Sequence, residues 1–152
     1  MSNGRLVERP RSMLTADQVP RVAPLITELT ALYWMGGSVN ELRISRCSTC
    51  DLYVHPPAPV CRRCHGLQFG FVPVSGRAIV ASFSVNYHHW ADGFELPYVV
   101  ALAQLDEQDD LLLVTNIVGC GIEVVEIGMP IEVEFLALDD AWLPLFHPRE
   151  VP

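Results

Sequence analysis

The chain has 152 residues, half of them hydrophobic and 18% charged, with a formal net charge of −8. That is enough apolar material for one folded domain, or one domain plus a small module, and it excludes an intrinsically disordered chain. Residues 1–65 carry eight Arg against five acids (+3). Residues 66–152 carry two Arg against thirteen (−11), so the second half lacks the clustered positive charge a nucleic-acid surface needs.

The opening stretch MSNGRLVERPRSML is polar and basic, with no apolar core of a signal sequence. Residues 1–14 are expected to form a flexible tail. No apolar run reaches the ~20 residues that span a bilayer, and a reducing, cytoplasmic location is expected. In such a compartment paired cysteines favour metal over disulfides.

Residues 15–37 are expected to be helical. Thr15 can cap a first short turn, with Asp17 close by. A second helix is predicted from Pro24, with Leu25, Leu29 and Leu32 at i, i+4 and i+7 and Ile26 and Tyr33 widening the stripe. Gly36-Gly37 is expected to stop it. The stripe packs either onto its own domain or onto a partner. Tyr33, Trp34 and Met35, an unusually apolar helix end, keep the second alternative open.

Residues 38–74 contain CSTCDLYVHPPAPVCRRCHG. Cys47, Cys50, Cys61 and Cys64 form two Cys-x-x-Cys knuckles, which a hairpin would bring together into a closed four-sulfur site. Four thiolates leave no open position for catalysis, and a redox Cys-x-x-Cys would need a βαβ unit that is not visible here. A structural metal is therefore expected, zinc first and iron second, with His55 and His65 as minor substitute ligands. The residue after each second cysteine often adopts a left-handed conformation; here those residues are Asp51 and His65, types that tolerate it.

Residues 75–148 switch to strand patterning. In GRAIVASFSVNY, Ile79, Ala81, Phe83, Val85 and Tyr87 are predicted on one face and Ala78, Val80, Ser82, Ser84 and Asn86 on the other. PYVVALAQL and LLLVTNIV follow, joined by the polar connection DEQDD, and then IEVEFLAL. WLPLF is a short last strand whose proline suggests an edge. Five short strands point to a small closed β-barrel of the OB type, or a small sandwich.

Other residues offer weaker chemistry. His88-His89-Trp90 leads into ADGFELP, where Asp92 and Glu95 lie close in sequence; the segment suits a partner or ligand contact, a plain loop, or acid/base work. Cys120, in VGCGIE, reads as a small buried hydrophobe rather than a nucleophile. Asp109-Asp110 and Asp139-Asp140 read as solvated turns. No Ser-His-Asp pattern, phosphate-binding glycine loop or HExxH is present.

Taken in order, the helix ending in Tyr33-Trp34, ELRISRCSTC, HPPAPVCRRCHG, SGRAIVASFSV, LPYVVALAQLDE, LLLVTNIVG, IGMPIEVEF and LPLFHP resemble the acyl-CoA-associated OB-fold family with an N-terminal rubredoxin-like zinc ribbon, long described as a domain of unknown function. The resemblance covers about residues 24–148. It departs at Asp51 and His65, where the family usually has glycine, and in a longer Arg-rich tail before Thr15. The resemblance implies a mainly β protein: N-terminal helix, zinc ribbon, then five-stranded OB barrel. It implies one structural zinc per chain and a non-catalytic accessory subunit of a heteromer, α2β2 in stoichiometry. The implied partner is a thiolase-like acyl-CoA enzyme, foremost a steroid side-chain aldolase that cleaves a β-hydroxyacyl-CoA by a retro-aldol step. Alternatives are a hot-dog-fold enoyl-CoA hydratase, a thiolase/synthase bridge, or a stand-alone enzyme using His88 and His89. Expected contacts to partner or acyl-CoA are Tyr33, Trp34, Arg62, Arg63, His88, His89 and Trp90; with Arg43 and Arg46, the ribbon arginines would meet CoA phosphates or an acidic partner, or form a solvated face.

Overall fold

A computed structural model describes residues 22–90, 92 and 95–152. The expected tail and the turn at Thr15 and Asp17 lie outside the described residues. The rest is mostly β: a short helix α1 (Ala31–Met35), a three-stranded ribbon and a closed five-stranded barrel. Among the described residues, no helix is long and apolar enough to cross a membrane.

The helix predicted from Pro24 is shorter than its apolar spacing suggested. Residues 22–27 are not helical, and α1 is five residues long. Two β-branched residues divert the backbone. The Thr30 hydroxyl accepts the Thr27 N–H at 3.0 Å and lies 3.1 Å from the Thr27 hydroxyl, an arrangement that competes with helical pairing. Leu25 is 83% exposed, so no burial on this chain rewards a longer helix. As expected, the α-helix ends at Gly36-Gly37, with Gly36 as its C-cap; a 3-10 turn, Gly36–Val39, follows and is closed by Asn40 at φ 57°. These glycines serve close approach: a Cβ on Gly37 would come within 2.5 Å of the Trp142 Cβ.

The ribbon consists of β1 (Leu42–Cys47), β2 (Tyr53–Val54) and β3 (Phe69–Val74), in the order β2-β1-β3. β1 and β3 pair antiparallel over six positions, from Leu42↔Val74 to Cys47↔Phe69. This long pair belongs to two cores. Leu42 and Ile44 are buried with the barrel interior, whereas Cys47 joins Leu52, Val54 and Cys61 in a separate small cluster. So few apolar groups cannot hold a module of this size without a further staple.

The barrel strands are β4 (Arg77–Asn86), β5 (Tyr98–Leu105), β6 (Leu112–Ile117), β7 (Pro130–Leu138) and β8 (Ala141–Pro148), closed in the order β4-β5-β6-β8-β7. Closure, with β4 paired to β7, selects the barrel over the sandwich. Strict alternation along β4 fails at Ala81. Register shifts between Val80 and Ser82, so Ala78 and Val80 point inward before the bulge and Phe83 and Val85 after it.

The final strand is longer than expected and lies between β6 and β7. It pairs with β7 along its whole length but with β6 only at Ile117↔Phe146. Pro144 therefore sits on a locally unpaired side, where a missing N–H costs nothing. Its carbonyl accepts the buried Thr115 hydroxyl at 3.0 Å, which bridges the strands where they part. Tyr33 reaches the barrel core beside this gap.

Candidate metal centre and flanking surfaces

The two knuckles repeat one hydrogen-bond pattern. The Cys47 N–H donates to the Leu52 carbonyl at 2.9 Å and the Asp51 N–H to the Cys47 carbonyl at 3.0 Å. In the second knuckle the Cys61 N–H donates to Gly66 and the His65 N–H to Cys61, both at 2.9 Å. Closing each turn this way requires a left-handed residue after the second cysteine: Asp51 has φ 61° and His65 φ 58°.

The turns bring four sulfurs together. Cys47 and Cys64 Sγ lie 3.6 Å apart, as do Cys50 and Cys61, and all four fall within 4.8 Å of one another. A tetrahedron with Zn–S bonds of about 2.3 Å has sulfur edges of about 3.8 Å, whereas a disulfide needs about 2.05 Å. None of the four is in a disulfide. They are positioned to bind one metal ion, consistent with structural zinc. Neither His55 nor His65 belongs to the cluster.

Local electrostatics prepare the sulfurs for a cation. The Cys50 amide beside Cys47 holds that thiol below its ordinary range. The Cys64 amide does the same for Cys61, which is brought down to about 6. Cys64 also accepts the Gly66 amide, but burial and three neighbouring sulfurs push it up to about 12. A metal ion is what allows all four to be thiolates together.

The ribbon is locked to the barrel by the β5–β6 connection, which the sequence presents only as a polar hairpin. Gln108 accepts the Tyr53 N–H at 3.0 Å and donates to the Tyr53 carbonyl at 3.1 Å. Arg62 pairs with Asp110, whose carboxyl is held below its usual range by that bond. Asp110 is thus an ion-pair partner and not merely a solvated turn residue. The only sequence signal for this lock was a glutamine among four acids.

The remaining expected site residues fall in different environments. Tyr33 is 6% exposed and buried in the core, where Trp34 packs against it edge-on at 4.7 Å. Burial also raises its phenol above the ordinary range. Arg43 pairs with Glu41, and Arg46 pairs with Asp51 while stacking over Tyr53. Arg63 is exposed and pairs with no carboxylate among the described residues. Trp90 is 74% exposed; its indole N–H donates to Asn86 at 2.8 Å, and His88 packs edge-on against it at 4.7 Å. Among the described residues, neither the His88 nor the His89 ring pairs with a carboxylate, and the loop projects Trp90 as an exposed aromatic. Cys120, its thiol raised by burial and by Glu123, lines an open groove with Glu123, Glu134 and His147.

Comparison with known proteins matches both halves. Residues 34–70 match the family described as the ChsH2 rubredoxin-like zinc ribbon domain, and residues 71–136 the ChsH2 C-terminal OB-fold domain. A solved chain titled Ltp2-ChsH2(DUF35) aldolase superposes with a TM-score of 0.75 at 36% identity, covering 83% of this chain and 98% of that one. A probable enoyl-CoA hydratase alpha subunit of Thermomonospora curvata is 36% identical over 92% of this chain and 44% of its own length. The 3-oxo-4,17-pregnadiene-20-carboxyl-CoA hydratase alpha subunit of Mycobacterium tuberculosis is 32% identical over 88% of this chain and 42% of its own. This chain thus spans less than half the length of these two hydratase subunits.

Proposed function

This chain belongs to the DUF35 family in its ChsH2 form, a zinc ribbon joined to an OB-fold, and we propose that it is a non-catalytic subunit that binds and organises a thiolase-like acyl-CoA enzyme. One observation carries this: similarity extends over 98% of the DUF35 chain of an aldolase but over less than half of either hydratase subunit. The reaction assigned to the complex is retro-aldol cleavage of a steroid side-chain β-hydroxyacyl-CoA. The assembly is a heteromer of α2β2 type.

Cys47, Cys50, Cys61 and Cys64 hold one structural zinc per chain. The zinc fixes the ribbon; the cysteines take no part in turnover, because a closed four-sulfur shell leaves no position for substrate. Trp34, His88, His89 and Trp90 contact the partner, and Arg63, free of any carboxylate among the described residues, meets a CoA phosphate or an acidic partner group. Arg62 serves the lock to the barrel before any ligand. The acidic second half of the chain speaks against nucleic acid.

Purification of the full-length tagged chain from its host tests this. The expected product is a stable heteromer with a thiolase-fold enzyme, active in aldol cleavage, whereas the chain alone has no turnover. A solitary monomer overturns the proposal. The hydratase names of two relatives favour a second reading, a hydratase complex, marked by hydration of an enoyl-CoA with no aldol cleavage. Turnover by the isolated chain that is lost in His88→Ala or His89→Ala would instead make it an enzyme.

A further inference from the structure

Two shallow depressions on the barrel share one wall. The first, about 130 Å³, lies where β6 and β8 part and is lined by Trp34, Leu143 and Pro144. The second, about 280 Å³, runs across the outer face of β4 and β5 and is lined by Val100 and Leu102. Val114, 68% exposed on β6, borders both. Among the described residues, none that lines either depression is charged, although residues 66–152 carry thirteen acids and two arginines.

A β-branched residue left exposed on a strand that is unpaired along most of one side, as β6 is beside β8, is what soluble proteins ordinarily guard with charge or proline. Here neither guard stands on β6, and an aromatic flanks the gap. Charge depletion around an aromatic is the composition of an interface centre. The two hairpins entering these strands supply acidic side chains at one end of the face: exposed Asp106 and Asp109 precede β6, and exposed Asp139 and Asp140 precede β8, whereas Asp110 is taken up by Arg62.

We propose that this uncharged face, centred on Val114, is where the acyl-CoA enzyme docks, through an apolar patch bordered by basic residues. This rests on the functional reading above and adds the surface and the partner's chemistry. A second copy of the chain is the wrong occupant. It would bring the same acidic hairpins to the same patch, and like charges facing across a contact cost association free energy. An enzyme surface with basic residues beside its apolar patch instead gains both the buried apolar contact and the charge attraction.

The test uses the full-length chain co-produced with its host's acyl-CoA enzymes, a photo-crosslinking amino acid at Val114, and the same probe at exposed Ile127 as control. Cross-links from position 114 but not 127 to an acyl-CoA enzyme, at an apolar surface with Lys or Arg around it, are expected. Val114→Arg should weaken the complex about 30-fold or more while metal content and thermal midpoint stay at wild-type values; Val114→Ile should leave it intact. An acyl-CoA enzyme that co-purifies undiminished with Val114→Arg and is not cross-linked from 114 overturns the docking face and leaves the subunit assignment standing. Cross-links to a second copy also overturn it. If no acyl-CoA enzyme co-purifies with the unmodified chain, the subunit assignment itself fails, and this inference with it.

Discussion

Gln108 occupies the place of a missing strand beside Tyr53: its side-chain amide accepts the Tyr53 N–H at 3.0 Å and donates to the Tyr53 carbonyl at 3.1 Å. β2 is only two residues long and pairs with β1 on one side. A single glutamine from the barrel therefore finishes the ribbon's sheet. The same amide also donates to Asp110 at 2.7 Å, and Asp110 pairs with Arg62 of the second knuckle. Metal module and barrel are joined through one connected polar contact.

Gln108→Ala should cost about 1–3 kcal/mol, because it leaves both Tyr53 backbone groups without their partner. Chemical denaturation measures the loss, and hydrogen exchange at the Tyr53 amide should quicken while metal content is unchanged. A neutral outcome would mean that water replaces the amide without cost.

Removing one metal ligand should be far more damaging. Structural zinc supplies on the order of 10 kcal/mol of apparent folding free energy, and the ribbon's own apolar cluster is small. Cys61→Ser should lose its metal and unfold the ribbon, and a chelator should do the same to the wild type. Metal analysis is expected to give about one zinc per chain before treatment.

The knuckle residue His65 sits at φ 58° without the conformational freedom of glycine. His65→Gly removes a Cβ from the left-handed region, a relief of about 1 kcal/mol set against the greater entropy of glycine when unfolded. A small net stabilisation is expected, read as a raised thermal midpoint of the zinc-loaded protein. His65→Val, β-branched, should destabilise it.

His55 provides a pH dependence. Its ring packs 4.9 Å from Tyr33, and its Nδ1 is buried without a partner; burial brings its pKa down to about 4. The folded chain thus keeps His55 neutral where the unfolded chain, near its ordinary 6.5, takes up a proton. Stability from this group is full above pH 6.5, falls as pH drops toward 4 and levels off below, with an amplitude of about 3 kcal/mol. His55→Leu should flatten that window relative to wild type. Measuring both proteins at each pH cancels the acid sensitivity of the metal site, which they share.

Chemistry that depends on local spacing was legible in the residues themselves. Two Cys-x-x-Cys turns ten residues apart suffice for a four-sulfur cluster, because each turn presets two ligands and one hairpin does the rest. The left-handed Asp51 and His65 and the five barrel strands followed from equally short-range rules. What lay beyond those rules depends on neighbours distant in the chain. The bulge at Ala81 exchanges the faces of β4 because β5 sets its register. Tyr33 turns inward because a gap between β6 and β8 receives it. Gln108 and Arg62 become a lock only once the ribbon folds back onto the barrel. Side-chain type declares what a group can bond to; only the packed fold decides which partner comes within reach, and which apolar surface, here around Val114, is left uncovered.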